Sequence, residues 1–261
     1  MAEQEGPIAR AVHPRGAEVV ERGHAAVVEG TFVLRRNRFA ADVVVGGAPA
    51  LAHVPNTGRM RELLVPGAPV WLRPAPAGSA RRTAFDLIAI HHRGIWVGLD
   101  SRVTPGVVVE AWRRGLLPGL SGYERVRREV RFGESRLDLL FEGSGGRAYV
   151  EAKSVNLVVD GIALFPDAPT PRGVRHLGEL VRAVREGDRA AAAFVIQRND
   201  ADALAPFEAA DPAFADALRR AAEAGVDLYA ICCTVGPGGL TPVRTVPVRT
   251  SGIGLPAAVA P

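Results

Sequence analysis

The sequence predicts an α/β protein in two parts, a small β-barrel followed by a mixed sheet flanked by helices. Six short strand-like runs lie close together before residue 100, which is the spacing of a barrel. After residue 104, strand-like runs alternate with segments of helical periodicity, the pattern of a sheet covered on its faces. We therefore expect a barrel domain at 29–100, a second domain at 101–235, and flexible, dispensable segments at 1–28 and 236–261.

Composition supports a globular protein. The 261 residues are 48% hydrophobic, enough for a packed core, and the sequence contains no apolar run of about 18 residues. The N-terminus lacks the basic and then apolar layout of a signal peptide, so we expect a soluble, cytoplasmic protein. A net charge of +4 is a small basic excess that does not by itself indicate nucleic-acid binding. The adjacent Cys232 and Cys233 lie in an apolar strand-like run and are expected to be reduced core residues.

The barrel prediction comes from short β-like runs separated by turn signals such as Gly46-Gly47 and Pro66-Gly67. The one interruption is at 55–64, where Asn56 or Thr57 could cap a short helix that begins near Arg59. The strand-like runs are 31–36, 39–45, 50–54, 68–74, 85–92 and 95–99.

The second part begins with a helix at 104–117, whose apolar face would include Val108, Trp112 and Leu116. Three strand-like runs follow, and Gly-Ser-Gly-Gly at 143–146 predicts a hairpin turn between the second and the third. The predicted elements after the first helix are strands at 125–132, 135–142 and 147–155, a loop at 161–173, a helix at 171–185, a strand at 190–197, a helix at 211–223 and a strand at 226–235.

Lys153 is the single lysine among 32 basic residues, so the chain uses arginine almost wherever a cation suffices. An ammonium is a compact point charge, whereas a guanidinium is broad and planar. Lys153 is therefore a candidate functional residue before any motif is considered. The alternative is that one lysine persists by chance.

Three charged residues are expected to converge at the hairpin. Asp138 lies between two leucines in a run that otherwise favours burial, and a buried carboxylate needs a cationic partner. Glu151 and Lys153 are two apart on a strand, so their side chains leave the same face. The hairpin turn would bring Asp138 alongside them.

This cluster could hold Mg²⁺ or Mn²⁺ through oxygen ligands and waters. Such an ion would assist phosphodiester hydrolysis, since it lowers the pKa of a bound water and offsets charge on phosphate oxygens. In this interpretation Asp138 and Glu151 are metal ligands, and Lys153 orients the water or neutralises the same charge. The alternative is a structural salt bridge between Lys153 and one of the carboxylates.

Other polar residues could complete the site. Glu110, in an apolar stretch of the first helix, could reach in as a third carboxylate or lie on a solvated face. Arg172 and Thr170 lie near a predicted helix N-terminus, which favours phosphate contacts. His176 could assist the site or contact nucleic acid, or it could be a satisfied structural residue.

Arginines in the barrel also indicate contacts with nucleic acid. Arg36, Arg38 and Arg59 lie in arginine clusters, with Phe39 and Trp71 near them in sequence. Cations that follow a phosphate backbone, together with aromatic rings for base stacking, are the usual layout of a single-strand-binding barrel. The alternative is ordinary surface arginines. The candidate nucleic-acid contacts of the whole chain are Arg36, Arg38, Arg59, Arg136, Thr170, Arg172 and His176.

Six motifs, in order, resemble the sugar fermentation stimulation protein A family across about residues 30 to 235. They are FAADVVV, HVPNTGRM, SRLDLLF, YVEAKSVNL, FPDAPTPRG and HLGEL. The resemblance implies an OB-like barrel joined to a domain of the PD-(D/E)XK nuclease fold, with DNA binding and a proposed role as a DNA/RNA nuclease or as a regulator of sugar (maltose) utilisation. It places the nuclease signature on Asp138, Glu151 and Lys153. Arg136-Leu137 stands where a proline precedes the aspartate in the general nuclease pattern, a departure that is common in this fold.

Three functions are consistent with these observations. The first is a metal-dependent phosphodiesterase that acts on DNA or RNA; its competitor is a nucleic-acid-binding regulator whose acidic site is idle. The complete Asp/Glu/Lys set favours the enzyme, because a pure binder gains nothing from carboxylates that face phosphates. A hydrolase of a small phosphorylated metabolite ranks last, since no nucleotide or sugar pocket is recognisable. No nucleotide cofactor is expected, because the sequence contains neither glycine-rich nucleotide loop.

Overall fold

The computed structural model describes residues 27–76 and 78–252. These residues form a barrel domain, whose last strand ends at Gly98, and a mixed α/β domain, whose first α-helix begins at Thr104. The predicted flexible segment at 1–28 lies outside the described residues except for its last two. The two-part α/β architecture predicted from the sequence is confirmed.

The first domain is a five-stranded closed barrel with one additional strand. A strand pairs with a neighbour on each side in such a ring, and alternate residues point inward to fill it. The strands are β1 (Val28–Asn37), β2 (Ala40–Val45), β3 (Ala48–His53), β4 (Pro69–Pro74), β5 (Phe85–His92) and β6 (Ile95–Gly98). β1 pairs with β2 and β4, β3 meets β5 in parallel to close the ring, and β6 extends the sheet beside β5. Phe32, Val43 and Leu72 are among the fully buried residues of its core.

The helix predicted to begin near Arg59 is absent, and this prediction is wrong. The chain makes a turn at 61–63 instead. Met60 has a φ of 48°, in the left-handed region, through which a right-handed helix cannot continue. Asn56 does not cap a helix; its Oδ1 accepts a hydrogen bond from the Gly58 N–H at 2.9 Å and so shapes a local turn.

The second domain contains a six-stranded mixed sheet in the order β15-β14-β12-β9-β8-β7. Its centre is parallel and its flanks are antiparallel. The strands of the domain are β7 (Tyr123–Phe132), β8 (Ser135–Gly143), β9 (Gly146–Val155), β10 (Val158–Val159), β11 (Ile162–Phe165), β12 (Arg189–Ile196), β13 (Ala203–Pro206), β14 (Asp227–Gly236) and β15 (Gly239–Val246). β10, β11 and β13 form a separate small sheet, so the segment predicted as a loop at 161–173 is a strand in part.

Helices cover both faces of the large sheet. α1 (Thr104–Arg113) packs on one face, where Val108 and Trp112 contact the core as predicted; the helix ends before the predicted residue 117, and Leu116 packs on the same core from the segment that follows it. α2 (Pro171–Arg185) and α3 (Pro212–Glu223) pack on the other face. None of the helices in the described ranges is both long and apolar enough to cross a membrane.

Asp211 links the starts of α2 and α3. One of its carboxylate oxygens accepts a hydrogen bond from the Phe214 N–H at 3.0 Å, and the other accepts one from the Thr170 N–H at 2.7 Å. Thr170 in turn caps α2, because its hydroxyl oxygen accepts a hydrogen bond from the Gly173 N–H at 3.1 Å. These hydrogen bonds therefore fix the position of the N-terminus of α2.

The segment at 236–261 is not a flexible tail throughout, and that prediction is wrong for its first part. β15 pairs with β14 along its length, and Val246 is buried. Pro242 interrupts the run that a sequence pattern would recognise as a strand; an edge position tolerates it. β15 covers one side of β14, in which Cys232 and Cys233 are free and fully buried, as predicted. Burial raises the pKa of the Cys233 thiol to about 12.

A chain that ends at Gly236 is expected to be clearly less stable than the full chain. Removal of β15 would expose β14 as a new apolar edge, and we expect the Tm to fall by roughly 5 °C or more. Thermal unfolding followed by circular dichroism would measure the change, with a chain that ends at Gly252 as the control. An unchanged Tm for the shorter chain would contradict this prediction.

Candidate functional site

The predicted cluster forms where β8 and β9 separate. Their ladder runs from the Gly143–Gly146 pair to the Leu139–Val150 pair and stops there. Directly beyond it, Oδ2 of Asp138 accepts a hydrogen bond from the Ala152 N–H at 2.8 Å. A side chain thus takes the place of a backbone carbonyl, so the two strands diverge at Asp138 and open the end of the sheet.

Glu151, on β9, is the centre of the cluster. Its side chain is 5% exposed, and Oε1 accepts hydrogen bonds from Lys153 Nζ at 2.5 Å and from His176 Nδ1. Oε2 is buried and has no hydrogen-bond partner among the residues that the structure describes. Two donors therefore fix one oxygen of this carboxylate, while the other is free to accept a ligand.

His176 reaches the cluster from α2. Its Nε2 accepts a hydrogen bond from Arg172 Nε at 3.2 Å, which assigns the ring proton to Nδ1, the atom that donates to Glu151. The ring is 2% exposed and both of its nitrogens are occupied. The prediction that His176 contacts nucleic acid is therefore wrong; the residue positions Glu151 and Arg172.

The pKa values of the two carboxyl groups are shifted in opposite directions. Burial and the negative charge of Glu151 raise the pKa of Asp138 to about 6. Burial also tends to raise the pKa of Glu151, but the hydrogen bond from His176 and the charge of Lys153 outweigh it, and the pKa is lowered. The ionised form of Glu151 is therefore the better stabilised of the two, whereas the charges of Lys153 and His176 do not outweigh burial and repulsion at Asp138.

The carboxylate oxygens of Glu151 and Asp138 suit a hard divalent cation that keeps part of its hydration shell. Glu151 offers a buried oxygen that has no hydrogen-bond partner in the described part of the chain, and Asp138 lies beside it. Across residues 27–76 and 78–252, no group of three or more His, Cys, Asp or Glu residues is arranged to hold a metal ion. The two carboxylates would thus need water or substrate oxygens to complete the coordination, which is how Mg²⁺ is commonly bound.

Glu110 is not part of the cluster, and its predicted role as a third carboxylate is wrong. It lies on α1, whose buried side packs on the face of the sheet opposite α2. Its Oε1 pairs with Arg114 Nε at 2.8 Å, and the side chain is 41% exposed. Glu110 therefore belongs to a solvated helix face.

The predicted phosphate-binding residues differ in how available they are. Arg38, Arg59 and Arg172 are exposed. Arg36 and Arg136 are also exposed, but they pair with Asp42 and Glu129 respectively. The hydroxyl oxygen of Thr170 serves as the helix cap described above.

Of the two aromatic residues predicted to stack on bases, one already stacks on another side chain. Trp71 stacks on Trp96, with ring centroids 3.9 Å apart and planes inclined by 16°. It is 9% exposed, so it cannot receive a base. Phe39, in contrast, is 55% exposed.

Sequence analysis missed the polar residues that join the two domains beside the site. Asn56 Nδ2 donates to Asn156 Oδ1 at 3.0 Å, and the Asn156 amide donates to the Gly98 carbonyl. The Gln197 carbonyl accepts a hydrogen bond from the Gly98 N–H at 2.8 Å, and Gln197 Nε2 donates to the Asp100 carbonyl at 3.2 Å. The sequence did contain a signal for these contacts. The polar residues Ser154 and Asn156 come shortly after Lys153, at the end of a largely apolar run. Through these contacts, a loop of the barrel is fixed next to the cluster.

The closed barrel and the mixed sheet covered by helices define a protein that joins an OB domain to a mixed α/β domain. Residues 33–99 match the family described as "SfsA N-terminal OB domain", and residues 102–239 match "Sugar fermentation stimulation protein RE domain". The chain belongs to the sugar fermentation stimulation protein (SfsA) family.

Relatives of similar length support this assignment. The "Sugar fermentation stimulation protein homolog" of Moorella thermoacetica is 44% identical over 226 residues, which cover 86% of this chain and 97% of the relative. That of Desulforamulus reducens is 43% identical over 223 residues, covering 85% and 92%. A solved structure of Pyrococcus furiosus SfsA in complex with Ca²⁺ is similar with a TM-score of 0.78 and 33% identity, covering 85% of this chain and 96% of that one.

Proposed function

We propose that this chain is a metal-dependent nuclease that hydrolyses phosphodiesters of DNA or RNA at Asp138, Glu151 and Lys153. The observation that supports it most is the asymmetry of Glu151, whose Oε1 receives both donors while Oε2 is buried without a partner among the described residues. Buried polar atoms in a purely structural ion pair are normally satisfied. An oxygen left free beside a second carboxylate is typical of a cation site.

Asp138 and Glu151 would hold Mg²⁺ or Mn²⁺. A divalent cation beside Asp138 would relieve the burial and like-charge repulsion that raise its pKa. The relative from Pyrococcus furiosus is described in complex with Ca²⁺, which prefers the same oxygen ligands. When bound, the cation would offset the charge that develops on the phosphate during hydrolysis.

Lys153 and Arg172 would act on the substrate. The Lys153 ammonium has three N–H donors, and one of them is used by Glu151 Oε1. Its side chain is 13% exposed, so another donor can reach a phosphate oxygen or the attacking water. Arg172 is exposed and its guanidinium is oriented by His176, which suits a contact with a neighbouring phosphate.

Asp138→Asn is expected to slow metal-dependent cleavage strongly. The amide keeps the side chain's size and an acceptor for the Ala152 N–H, but it removes the charge that would hold the cation. Labelled single-stranded DNA, double-stranded DNA and RNA would be incubated with Mg²⁺ or Mn²⁺, and we expect the rate to fall by about 100-fold or more. Glu110→Gln is the matched control, because it neutralises a carboxylate on the opposite face, and it should cleave at the rate of the unaltered chain.

The competing function is a nucleic-acid-binding regulator whose acidic site is idle. In that case the unaltered chain would bind nucleic acid with no cleavage in any metal. Equal cleavage by Asp138→Asn and Glu110→Gln would also contradict the nuclease proposal, because the activity would then arise elsewhere.

A further inference from the structure

We propose that the barrel carries a binding site for single-stranded nucleic acid, formed by Phe39, Arg38 and Arg59 and leading to the cluster at Asp138 and Glu151. The inference deepens the proposed function and rests on it in taking nucleic acid as the substrate. It specifies the form of the substrate, a single strand or a single-stranded extension.

Phe39 is an exposed aromatic residue whose backbone is held by two hydrogen bonds. At 55%, it is the most exposed of the large hydrophobic residues in the described part of the chain. Its backbone N–H donates to Asn37 Oδ1 at 2.8 Å, and its carbonyl accepts from the Val54 N–H at 2.8 Å. The turn between β1 and β2 therefore presents the ring to solvent from a fixed backbone, which suits a platform for base stacking.

Arg35 joins this turn to the loop that precedes Met60. Its guanidinium donates to the carbonyls of Arg38 at 2.9 Å, Asn56 at 3.0 Å and Arg59 at 2.9 Å. One side chain thus fixes the backbones of the turn and of the loop against each other. Arg38, Phe39 and Arg59 consequently lie on one continuous surface.

Arg38 and Arg59 are available cations on that surface. Both side chains are exposed, and within residues 27–76 and 78–252 neither forms an ion pair. This distinguishes them from Arg36, which pairs with Asp42 at 2.7 Å. Such a surface suits a single strand. Its phosphates could contact the two guanidinium groups, and one of its bases could stack on the exposed ring.

The far end of the loop is anchored to the second domain. Asn56 Nδ2 donates to Asn156 Oδ1 at 3.0 Å, and the Met60 N–H donates to Asp167 Oδ2 at 3.2 Å. A Cβ added at Gly58 would lie 2.9 Å from the same Asp167 oxygen, so the two domains approach closely here. A strand bound along this surface would therefore be directed toward Lys153, three residues before Asn156 on the chain.

A single strand fits this surface better than a duplex. The ring can stack only on a base whose face is open, and bases in an intact duplex are already stacked on each other. Two cations are also few for a duplex, whose affinity depends on many phosphate contacts.

Phe39→Ala tests the proposal by its effect on binding in the presence of a chelator, so that no cleavage occurs. Fluorescence anisotropy would give the Kd for labelled single-stranded DNA, single-stranded RNA and a duplex of the same sequence. We expect a Kd roughly five- to a hundredfold higher for the single strands and a change below about twofold for the duplex. Phe39→Trp should retain binding, because the indole also stacks.

Val243→Ala is the control for the loss of an exposed apolar side chain, since Val243 is 39% exposed on β15 of the other domain. It should leave every Kd unchanged. Single-strand binding that does not respond to Phe39→Ala, or a loss that is equal for the duplex, would overturn the proposal. Because binding is measured without metal, absence of cleavage by the unaltered chain in the metal-dependent assay would overturn the nuclease proposal and leave this binding site standing.

Discussion

Lys153→Ala is expected to reduce metal-dependent cleavage by about 100-fold or more while the protein still folds. Lys153 is the cation nearest to Glu151 Oε1, at 2.5 Å, and it lies at the open end of the β8–β9 hairpin. Its removal would eliminate the donor proposed to face the reacting phosphate. His176 would continue to hold Glu151, so the fold of the site should persist. Single-turnover cleavage with saturating enzyme would measure the chemical step.

Lys153→Arg separates the charge of this residue from its shape. The side chain is 13% exposed and its ammonium lies beside Glu151 and His176, where a planar guanidinium would not superpose on it. We expect Lys153→Arg to remain at least about tenfold slower than the unaltered chain, although its charge is unchanged. Full activity in Lys153→Arg would indicate that only the charge matters, and full activity in Lys153→Ala would remove Lys153 from the mechanism.

The cluster was predictable because its position depends on local periodicity. Two residues that are two apart on a strand share a face, and a Gly-rich turn fixes which residues of the two strands are opposite each other. Asp138, Glu151 and Lys153 could therefore be brought together without knowledge of the rest of the fold. The bounds of α2 and α3 were predictable for the same reason, since Thr170 and Asp211 are side chains that cap helices.

The predictions that were wrong concern features that depend on contacts between distant segments. Helical spacing placed Glu110 on a helix, but it could not tell which face of the sheet that helix would cover. The left-handed backbone at Met60 accompanies its anchoring to Asp167, a residue more than a hundred positions away. β15 depends on pairing with β14 despite an internal proline. Periodicity within a short segment carries no information about such contacts.

The role of His176 depends both on local periodicity and on contacts between distant segments. The sequence identifies a histidine on a helix, and the structure adds that the helix faces the carboxylates rather than solvent. Its Nε2 accepts from Arg172 while its Nδ1 donates to Glu151, so one ring orients a proposed phosphate contact and a proposed metal ligand together. Substitution of His176 should therefore affect metal binding before any substrate is present.

His176→Leu is expected to weaken the binding of Mn²⁺ or Ca²⁺ by about 10- to 100-fold and to lower the free energy of unfolding by about 2 kcal/mol. Glu151 would lose a charge-assisted hydrogen bond in a buried position, and its Oε2 would no longer be held toward the cation. Titration calorimetry of the metal and thermal unfolding would measure the two effects. His176→Gln, whose amide can still donate, should recover part of the metal affinity, whereas His92→Leu in the barrel should not change it. Unaltered metal affinity in His176→Leu would show that His176 serves the fold alone, because a merely structural histidine would change the stability and leave the cation site intact.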